Sequence, residues 1–178
     1  MHLYTERLSL RPVTRDDLSD LFRIYGDPAT NTFNPAGPYP DLDYARRRLD
    51  AWLAEWERDG FGNMAVCERE IPDRVIGFGG LSIREYNGMQ TNNLGYRFQT
   101  ESWGKGIATE FCLRMIRYGF EVLDLPDITA VVRGHHLASQ KVALNAGLDK
   151  VGEVDDVAGE TPSLVFRLSR ARWQASQT

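Results

Sequence analysis

Hydrophobic and polar positions follow two different periods along this chain, and these periods predict alternating strands and helices. In the segment 3–13, leucines alternate with arginine and serine, which is the period of a half-buried strand. In the segments 18–25 and 45–56, apolar residues recur three or four positions apart, as on one face of a helix. Asp41 or Asp43 is placed to cap the second helix. The pattern therefore predicts a strand followed by two amphipathic helices.

A loop rich in asparagine, glycine and proline, Thr30–Pro40, separates the two helices. It contains two aromatic residues, Phe33 and Tyr39, which either fill the core or form walls of a substrate site. The second helix carries three successive arginines, Arg46–Arg48. We expect these arginines to form a solvated helix face rather than an anion site.

The middle of the chain predicts strands that return on one another. Strand patterns at 63–69 and 74–84 flank a turn at Glu70–Asp73, which indicates an antiparallel pair. The dipeptide Asn87-Gly88 is a strong local turn signal, so we expect the next strand, Thr91–Phe98, to lie beside the second of the pair.

The clearest helix runs from Gly104 to Leu123. Its apolar residues share one face, which includes Phe111, Met115 and Ile116, and we expect this face to be buried. The remaining predicted elements are a strand at 128–133, a short helix at 137–146 and two strands at 148–154 and 164–168.

This order of elements predicts one α/β (α+β) domain over residues 1–178, with a mixed, mostly antiparallel central sheet. We expect about six to seven strands and about four helices in that domain. Residues 1–170 form the expected ordered core, and a short C-terminal tail follows.

Composition narrows the function classes. The chain of 178 residues has a formal net charge of -4, which does not resemble the basic surface of a nucleic-acid binder. Its two cysteines, Cys67 and Cys112, lie in apolar segments and lack the spacing of a zinc site or disulfide framework. The N-terminus is charged, and no apolar run approaches the roughly 18 residues of a membrane span. We therefore expect a cytoplasmic protein with no metal, no membrane partner and no nucleic-acid partner.

The most informative segment joins the strand that ends at Phe98 to the long helix. Gly104 and Gly106 lie at this junction, with Lys105 between them. Glycine lets the backbone approach a ligand closely, and the N-terminus of a helix attracts phosphate, so the junction suits a pyrophosphate. It is not a Walker loop, and Thr109 occupies the third glycine position of a dinucleotide-binding fingerprint. The other interpretation of the two glycines is a tight turn without a ligand.

The surrounding pattern resembles the GNAT acetyltransferases, in particular the branch of the ribosomal-protein N-terminal acetyltransferases. Members carry a loop of the form W-G-[K/R]-G-[I/Y]-A-T-E, which is matched at Trp103–Glu110. The segment Thr5–Arg11 resembles the opening strand of the branch, Ile76–Leu81 its third strand and Leu94–Tyr96 its fourth. The resemblance extends over nearly the whole chain.

The resemblance implies acetyl-CoA as cosubstrate and transfer of its acetyl group to an amine by direct attack. It also implies splayed fourth and fifth strands, with the cofactor in the wedge between them. Backbone N-H groups of the loop would hold the pyrophosphate, and main-chain groups of the fourth strand would line the pantetheine arm. The implied cofactor-binding residues are Tyr96, Arg97, Phe98, Trp103, Gly104, Lys105, Gly106, Ile107, Ala108, Thr109, His136 and Ser139.

The chain departs from the later family motif. His136 stands at the usual asparagine position and Ala143 at the usual tyrosine position, whereas Ser139 matches the pattern. Since the common tyrosine acid is missing, Ser139 is the remaining candidate to give a proton to the departing thiolate, directly or through water. The other interpretations are a helix-cap hydroxyl for Ser139 and a surface or cap role for His136, which otherwise hydrogen-bonds the pantetheine arm.

A general base for the amine is harder to assign. Asn93 stands where branch members often carry an acidic residue. Glu85, near the end of the third strand, and Asp43, before the second helix, are candidates, as is deprotonation through water.

Two rivals to a peptide acceptor remain open at the sequence level. The first is an enzyme of the same family that acetylates an antibiotic, a polyamine or an amino acid; the second is a non-catalytic acyl-CoA-binding module. The expected partner is therefore an amine acceptor, either a peptide N-terminus or a small molecule, and the chain is expected to act as a monomer or homodimer. The segments 30–40 and 85–92 are the expected walls of the acceptor site.

Overall fold

A computed structural model describes all 178 residues. The strands are β1 (Leu3–Tyr4), β2 (Leu8–Pro12), β3 (Asn63–Glu68), β4 (Ile71–Tyr86), β5 (Met89–Phe98), β6 (Asp127–Val132), β7 (Asp149–Val154) and β8 (Ser163–Ser169). The helices are α1 (Leu18–Tyr25), α2 (Leu42–Asp59), α3 (Ile107–Glu121), α4 (Leu137–Asn145) and α5 (Arg170–Ser176). Three 3-10 turns, Arg15–Asp17, Pro28–Asn31 and Thr100–Ser102, join them.

The strands form one eight-stranded sheet in the order β1-β2-β3-β4-β5-β6-β8-β7. The pairs β1-β2, β2-β3, β3-β4, β6-β8 and β7-β8 are antiparallel. By contrast, β5 and β6 are parallel, with Asn93 opposite Thr129. The predicted α/β fold with a mixed, mostly antiparallel sheet is therefore confirmed. The splay of β5 and β6 beyond this pair stays a prediction.

The first predicted strand is a hairpin instead. Residue Thr5 donates its backbone N-H to the Leu8 carbonyl at 3.0 Å. Its hydroxyl accepts from the Leu8 N-H at 2.9 Å. These bonds reverse the chain, so that Leu3 lies opposite Leu10 and Tyr4 opposite Ser9. The sheet therefore gains a strand beyond the predicted number.

The C-terminus also gains an element beyond the four predicted helices. Residues Arg170–Ser176 form α5, where the sequence predicted only a short tail. The Ser169 hydroxyl accepts from the Arg172 backbone N-H at 3.2 Å and caps this helix. The aromatic ring of Trp173 lies 5.1 Å from that of Phe120.

The chain comprises two compact units that alternate along the sequence. Unit 1 contains Met1–Ser82 and Tyr96–Ala108, and unit 2 contains Ile83–Gly95 and Thr109–Thr178. In unit 1, α1 and α2 pack on the sheet through a buried cluster that includes Leu21, Trp52 and Phe78. Burial of each such side chain contributes about 1.5–3 kcal/mol to folding.

In unit 2, the predicted apolar face of α3 is buried. The side chains of Phe111, Met115 and Ile116 are at most 1% exposed. The thiol of Cys112 is also buried, and burial raises its pKa, so it remains a protonated core thiol. None of the helices is both long and apolar enough to cross a lipid bilayer.

Candidate active site

The glycine loop has the backbone of an anion cradle. After β5 ends at Phe98, the short turn Thr100–Ser102 leads into the loop, and α3 begins at Ile107. Gly104 has φ of 73° and Gly106 has φ of 77°. Both values lie in the left-handed region, where residues with a Cβ are strained. These two turns bring the chain to the N-terminus of α3, where the first N-H groups lack partners within the helix.

Conformation, rather than lack of room, requires glycine at these positions. No atom lies within 4 Å of the place where a Cβ on Gly104 would stand. A Cβ on Gly106 would lie 3.6 Å from Nη2 of Arg7, an ordinary contact distance. The constraint on both residues is therefore their positive φ.

Trp103 anchors the start of the loop. Its indole N-H donates to the Phe98 carbonyl at 3.0 Å. Its backbone N-H donates to the Thr100 carbonyl at 3.1 Å. The family resemblance implies that backbone N-H groups of the loop, that of Trp103 among them, bind the pyrophosphate. The Trp103 N-H, however, is already donated to the Thr100 carbonyl. The candidate backbone donors are therefore those from Gly104 to Ala108.

Lys105 is exposed, and its carbonyl is held by a residue from the start of the chain. The Arg7 guanidinium donates from Nη1 to the Lys105 carbonyl oxygen at 2.9 Å. In the sequence, Arg7 is recognisable only as part of the opening strand motif. Nothing in the local pattern indicates that a residue 98 positions away contacts the loop.

The arrangement of unit 1 fits a pyrophosphate. Two left-handed glycines turn the backbone, and the positive end of the dipole of α3 follows them directly. Ile107 is buried and anchors the helix, while Ala108 and Thr109 are half-buried in its first turn. This is the backbone geometry that binding of a diphosphate at a helix N-terminus requires.

The three residues expected to line the pantetheine arm lie at the end of β5. The rings of Tyr96 and Phe98 are 5.8 Å apart. The side chain of Arg97 is committed elsewhere, because Nη1 donates to Asn31 Oδ1 at 2.7 Å and the guanidinium lies 4.4 Å from the centroid of the Tyr25 ring. Any contribution of Arg97 to cofactor binding therefore comes from its main chain.

The two aromatic residues of the loop 30–40 have different environments. Tyr39 packs on the buried cluster of unit 1, with its ring 5.3 Å from that of Tyr25 and 4.8 Å from that of Tyr44. Phe33 is 40% exposed. Tyr39 therefore packs against the core of unit 1, whereas the side chain of Phe33 is the more exposed of the two.

Hydrogen bonds from two asparagines hold this loop. Asn31 is buried and donates from Nδ2 to the carbonyls of Tyr25 and Asp27, each at 2.9 Å. Asn34 donates from Nδ2 to Asn31 Oδ1 at 3.0 Å and to the Gly37 carbonyl at 3.1 Å. The loop therefore has a defined path despite its composition.

In unit 2, His136 and Ser139 lie at the N-terminus of α4. His136 is the N-cap residue, and its side chain makes no capping hydrogen bond. Ser139 is the third residue of the helix and lies in its first turn. Both side chains are half-buried.

Arg133, which no sequence motif marks, connects the end of β6 to the β7-β8 loop. It donates from Nη1 to Ser163 Oγ at 2.9 Å and from Nη2 to the Thr161 carbonyl at 2.9 Å. Its Nη1 also lies 3.2 Å from Asp156 Oδ1. Since His136 donates its backbone N-H to the Arg133 carbonyl at 3.0 Å, Arg133 joins the start of α4 to this loop.

The two candidate bases, Glu85 and Asp43, differ in the ion pairs that they form. Glu85 is exposed near the end of β4. Asp43 is 65% exposed and forms ion pairs with Arg46 and Arg47 at 3.3 and 2.5 Å. Arg46 and Arg47 are mostly exposed, as predicted for a solvated face, whereas Arg48 is half-buried. Glu85 is therefore the less engaged of the two carboxylates.

Asn93, at the position that is often acidic, has a phenol as partner. The Tyr86 hydroxyl donates to Asn93 Oδ1 at 3.3 Å. Burial raises the pKa of Tyr86, so the phenol stays protonated at neutral pH.

No group of three or more His, Cys, Asp or Glu side chains is arranged to hold a metal ion.

A family model for the acetyltransferase (GNAT) domain matches residues 7–149. The chain belongs to the GNAT acetyltransferase family. It is an N-acetyltransferase, and the family transfers the acetyl group of acetyl-CoA. A curated relative, the uncharacterized N-acetyltransferase p20 of Bacillus licheniformis, is 31% identical over 155 residues, covering 86% of this chain and 85% of p20.

Solved structures share the GNAT fold. An acetyltransferase from Agrobacterium tumefaciens is 26% identical with a TM-score of 0.78, covering 94% of each chain. A structure from Vibrio cholerae, assigned as a ribosomal-protein-serine acetyltransferase, is 23% identical with a TM-score of 0.74, covering 95% of this chain and 97% of its own. The structure of AAC(6')-Ib with paromomycin and acetyl-CoA is 14% identical with a TM-score of 0.79, covering 97% of this chain and 99% of its own. That AAC(6')-Ib structure contains acetyl-CoA.

Proposed function

We propose that this N-acetyltransferase acetylates a primary amine, with the α-amine of a protein N-terminus as the first candidate. The observation that carries the cosubstrate assignment is the loop in which Gly104 and Gly106 adopt positive φ directly before α3. The resemblance of Thr5–Arg11 and Trp103–Glu110 to the ribosomal-protein branch supports the peptide acceptor.

The proposed reaction is direct attack in a ternary complex. The neutral amine nitrogen forms a bond to the thioester carbonyl carbon, and the C-S bond then breaks. The amine loses one proton, and the departing thiolate takes up one proton as coenzyme A is released. The cysteines are unsuited to a covalent step, because Cys67 and Cys112 are buried and burial raises the pKa of both thiols.

Ser139 is the proposed proton donor or relay for the thiolate. It is half-buried in the first turn of α4, where the helix dipole favours negative charge nearby. His136, at the N-cap, is proposed to hydrogen-bond the pantetheine arm. For the amine, we propose deprotonation by Glu85 or through water.

The acceptor is proposed to contact the loop 30–40. Phe33 offers an exposed apolar ring there, while Asn31 and Asn34 hold the backbone in place. A small cationic amine is the second candidate, because the net charge of -4 favours cationic acceptors.

A panel of amines with acetyl-CoA tests the proposal. Purified protein is mixed with acetyl-CoA and, in turn, with peptides of different N-terminal residues, a polyamine, an aminoglycoside and free amino acids. Release of free thiol is followed over time, and mass spectrometry locates the acetyl group. Each peptide is paired with the same peptide blocked at its N-terminus.

The proposal requires thiol release that depends on a free peptide α-amine. Acetylation of the small amines alone would transfer the assignment to the second candidate. Binding of acetyl-CoA without thiol release on any amine would indicate a non-catalytic acyl-CoA-binding module. Light scattering on the same sample determines whether the protein is the expected monomer or homodimer.

A further inference from the structure

Arg7 is the residue through which the start of the chain contacts the glycine loop. It lies between β1 and β2, and its Nη1 donates to the Lys105 carbonyl at 2.9 Å. Its Nη2 is 3.6 Å from the place where a Cβ on Gly106 would stand. The guanidinium therefore lies against the Lys105-Gly106 peptide.

This contact defines the direction of one loop N-H. In a trans peptide, the carbonyl oxygen and the following N-H point to opposite sides. Because Arg7 binds the Lys105 carbonyl, the Gly106 N-H points away from Arg7. If this peptide plane flipped, the Lys105 carbonyl would point to the side to which the Gly106 N-H now points.

Such a rotation is otherwise easy in this loop. Gly104 and Gly106 both populate positive and negative φ readily, and Lys105 between them is exposed. A carbonyl turned toward a pyrophosphate would repel it, whereas an N-H attracts it. The loop therefore requires a contact that selects one orientation of this peptide.

The backbone of Arg7 is itself well anchored. The Arg69 backbone N-H donates to the Arg7 carbonyl at 2.8 Å, and Arg69 Nη1 donates to the Thr5 carbonyl at 3.0 Å. The Leu8 N-H donates to Thr5 Oγ1 at 2.9 Å. The β1-β2 hairpin thus fixes the backbone from which the Arg7 guanidinium extends.

We propose that Arg7 is a positioning residue for the pyrophosphate, because it holds the Lys105-Gly106 peptide with the Gly106 N-H directed to the anion. This inference rests on the proposed binding of acetyl-CoA at the loop. Arg7 acts through the loop backbone. It therefore affects the affinity for ligands that carry the pyrophosphate, whether or not they also carry the 3'-phosphate of coenzyme A.

Calorimetry on the whole protein tests this with three ligands: coenzyme A, dephospho-coenzyme A and pantetheine. Arg7→Met keeps the apolar stem and removes the donor, and Arg7→Lys restores a donor. Arg15→Met is the matched control, because Arg15 is an exposed arginine whose guanidinium pairs with Asp50 and not with the loop or the hairpin. Melting temperatures are measured for every variant.

We expect Arg7→Met to lose about 10-fold in affinity for coenzyme A and for dephospho-coenzyme A alike, the equivalent of one hydrogen bond. Pantetheine, measured by competition, retains its affinity. Arg7→Lys recovers most of the loss, and Arg15→Met binds all three ligands as the wild type does.

Several results would overturn the inference. Loss confined to coenzyme A would assign Arg7 to the 3'-phosphate, and equal loss for all three ligands would indicate general damage to the fold. Wild-type affinity in Arg7→Met would show that the contact has no effect on binding. If the wild-type protein itself fails to bind coenzyme A, the proposed function fails instead.

Discussion

Arg97 on β5 and Asn31 in the turn after α1 are joined by a hydrogen bond of 2.7 Å between Nη1 and Oδ1. The same guanidinium lies over the ring of Tyr25, the residue that ends α1. Since Asn31 in turn holds the carbonyls of Tyr25 and Asp27, one side chain of β5 stabilises the start of the proposed acceptor loop.

Replacing Arg97 with alanine is expected to loosen this loop. The variant loses a charge-assisted hydrogen bond and a cation-π contact, together worth about 2 kcal/mol. Hydrogen exchange should accelerate at residues 30–37 and remain unchanged in α3. Arg46→Ala, which removes an exposed arginine paired with Asp43, is the control and should leave exchange in both segments unchanged.

Gly106→Val is expected to weaken coenzyme A binding far more than Lys105→Ala. Valine at a φ of 77° is strained, so the loop shifts and its N-H groups lose alignment. We expect at least about 10-fold weaker binding for Gly106→Val and a change of about 3-fold or less for Lys105→Ala. Calorimetry measures both constants, and equal losses would show that the lysine side chain, and not the backbone, binds the anion.

Ser139→Ala is expected to lower turnover while coenzyme A affinity remains nearly unchanged. A hydroxyl that protonates the departing thiolate acts mainly in the transition state, and its loss costs about 10²-fold or more in rate. Steady-state rates with a confirmed acceptor and calorimetry on the same variant separate the two effects. A normal rate with a lower melting temperature would give Ser139 a purely structural role in the first turn of α4.

Asp17→Asn is expected to destabilise unit 1. The Asp17 carboxylate is 3% exposed, binds Arg11 through both oxygens at 2.7 and 2.9 Å and accepts the Thr14 N-H at 2.8 Å. The hydrogen bond from Arg11 to Asp17 is the main cause of the raised pKa of Arg11. Removal of one partner from such a pair costs about 3 kcal/mol, measurable by urea unfolding. Asp50→Asn, which breaks an exposed pair with Arg15, should change stability by about 0.5 kcal/mol or less.

Periodicity predicted most of the helices and strands because burial of one apolar face imposes the period of each element. The face of α3 with Phe111, Met115 and Ile116 follows the helical period and is buried as expected. The β1-β2 hairpin was missed because the alternation continues across it. Its reversal depends on the two hydrogen bonds between Thr5 and Leu8, and neither turn glycine nor proline marks it.

The glycine loop could be located from sequence, because its chemistry is local. Its supporting contacts could not, because they join distant segments: Arg7 to Lys105 and Arg97 to Asn31. The same limit applies to Phe33 and Tyr39, since only the packing against Tyr25 and Tyr44 distinguishes the core ring from the exposed one.

The anchoring of Trp103 gives the protein an intrinsic fluorescent probe. Its indole is 53% exposed, yet its N-H is bound to Phe98, so the chromophore is in contact with solvent while held at one end. By contrast, Trp52 is buried in the core of unit 1. Trp56 and Trp173 are half-buried, so Trp103 is the most exposed of the four tryptophans. A ligand that binds to the loop is therefore expected to change the emission wavelength of Trp103 and its quenching by acrylamide without any added label.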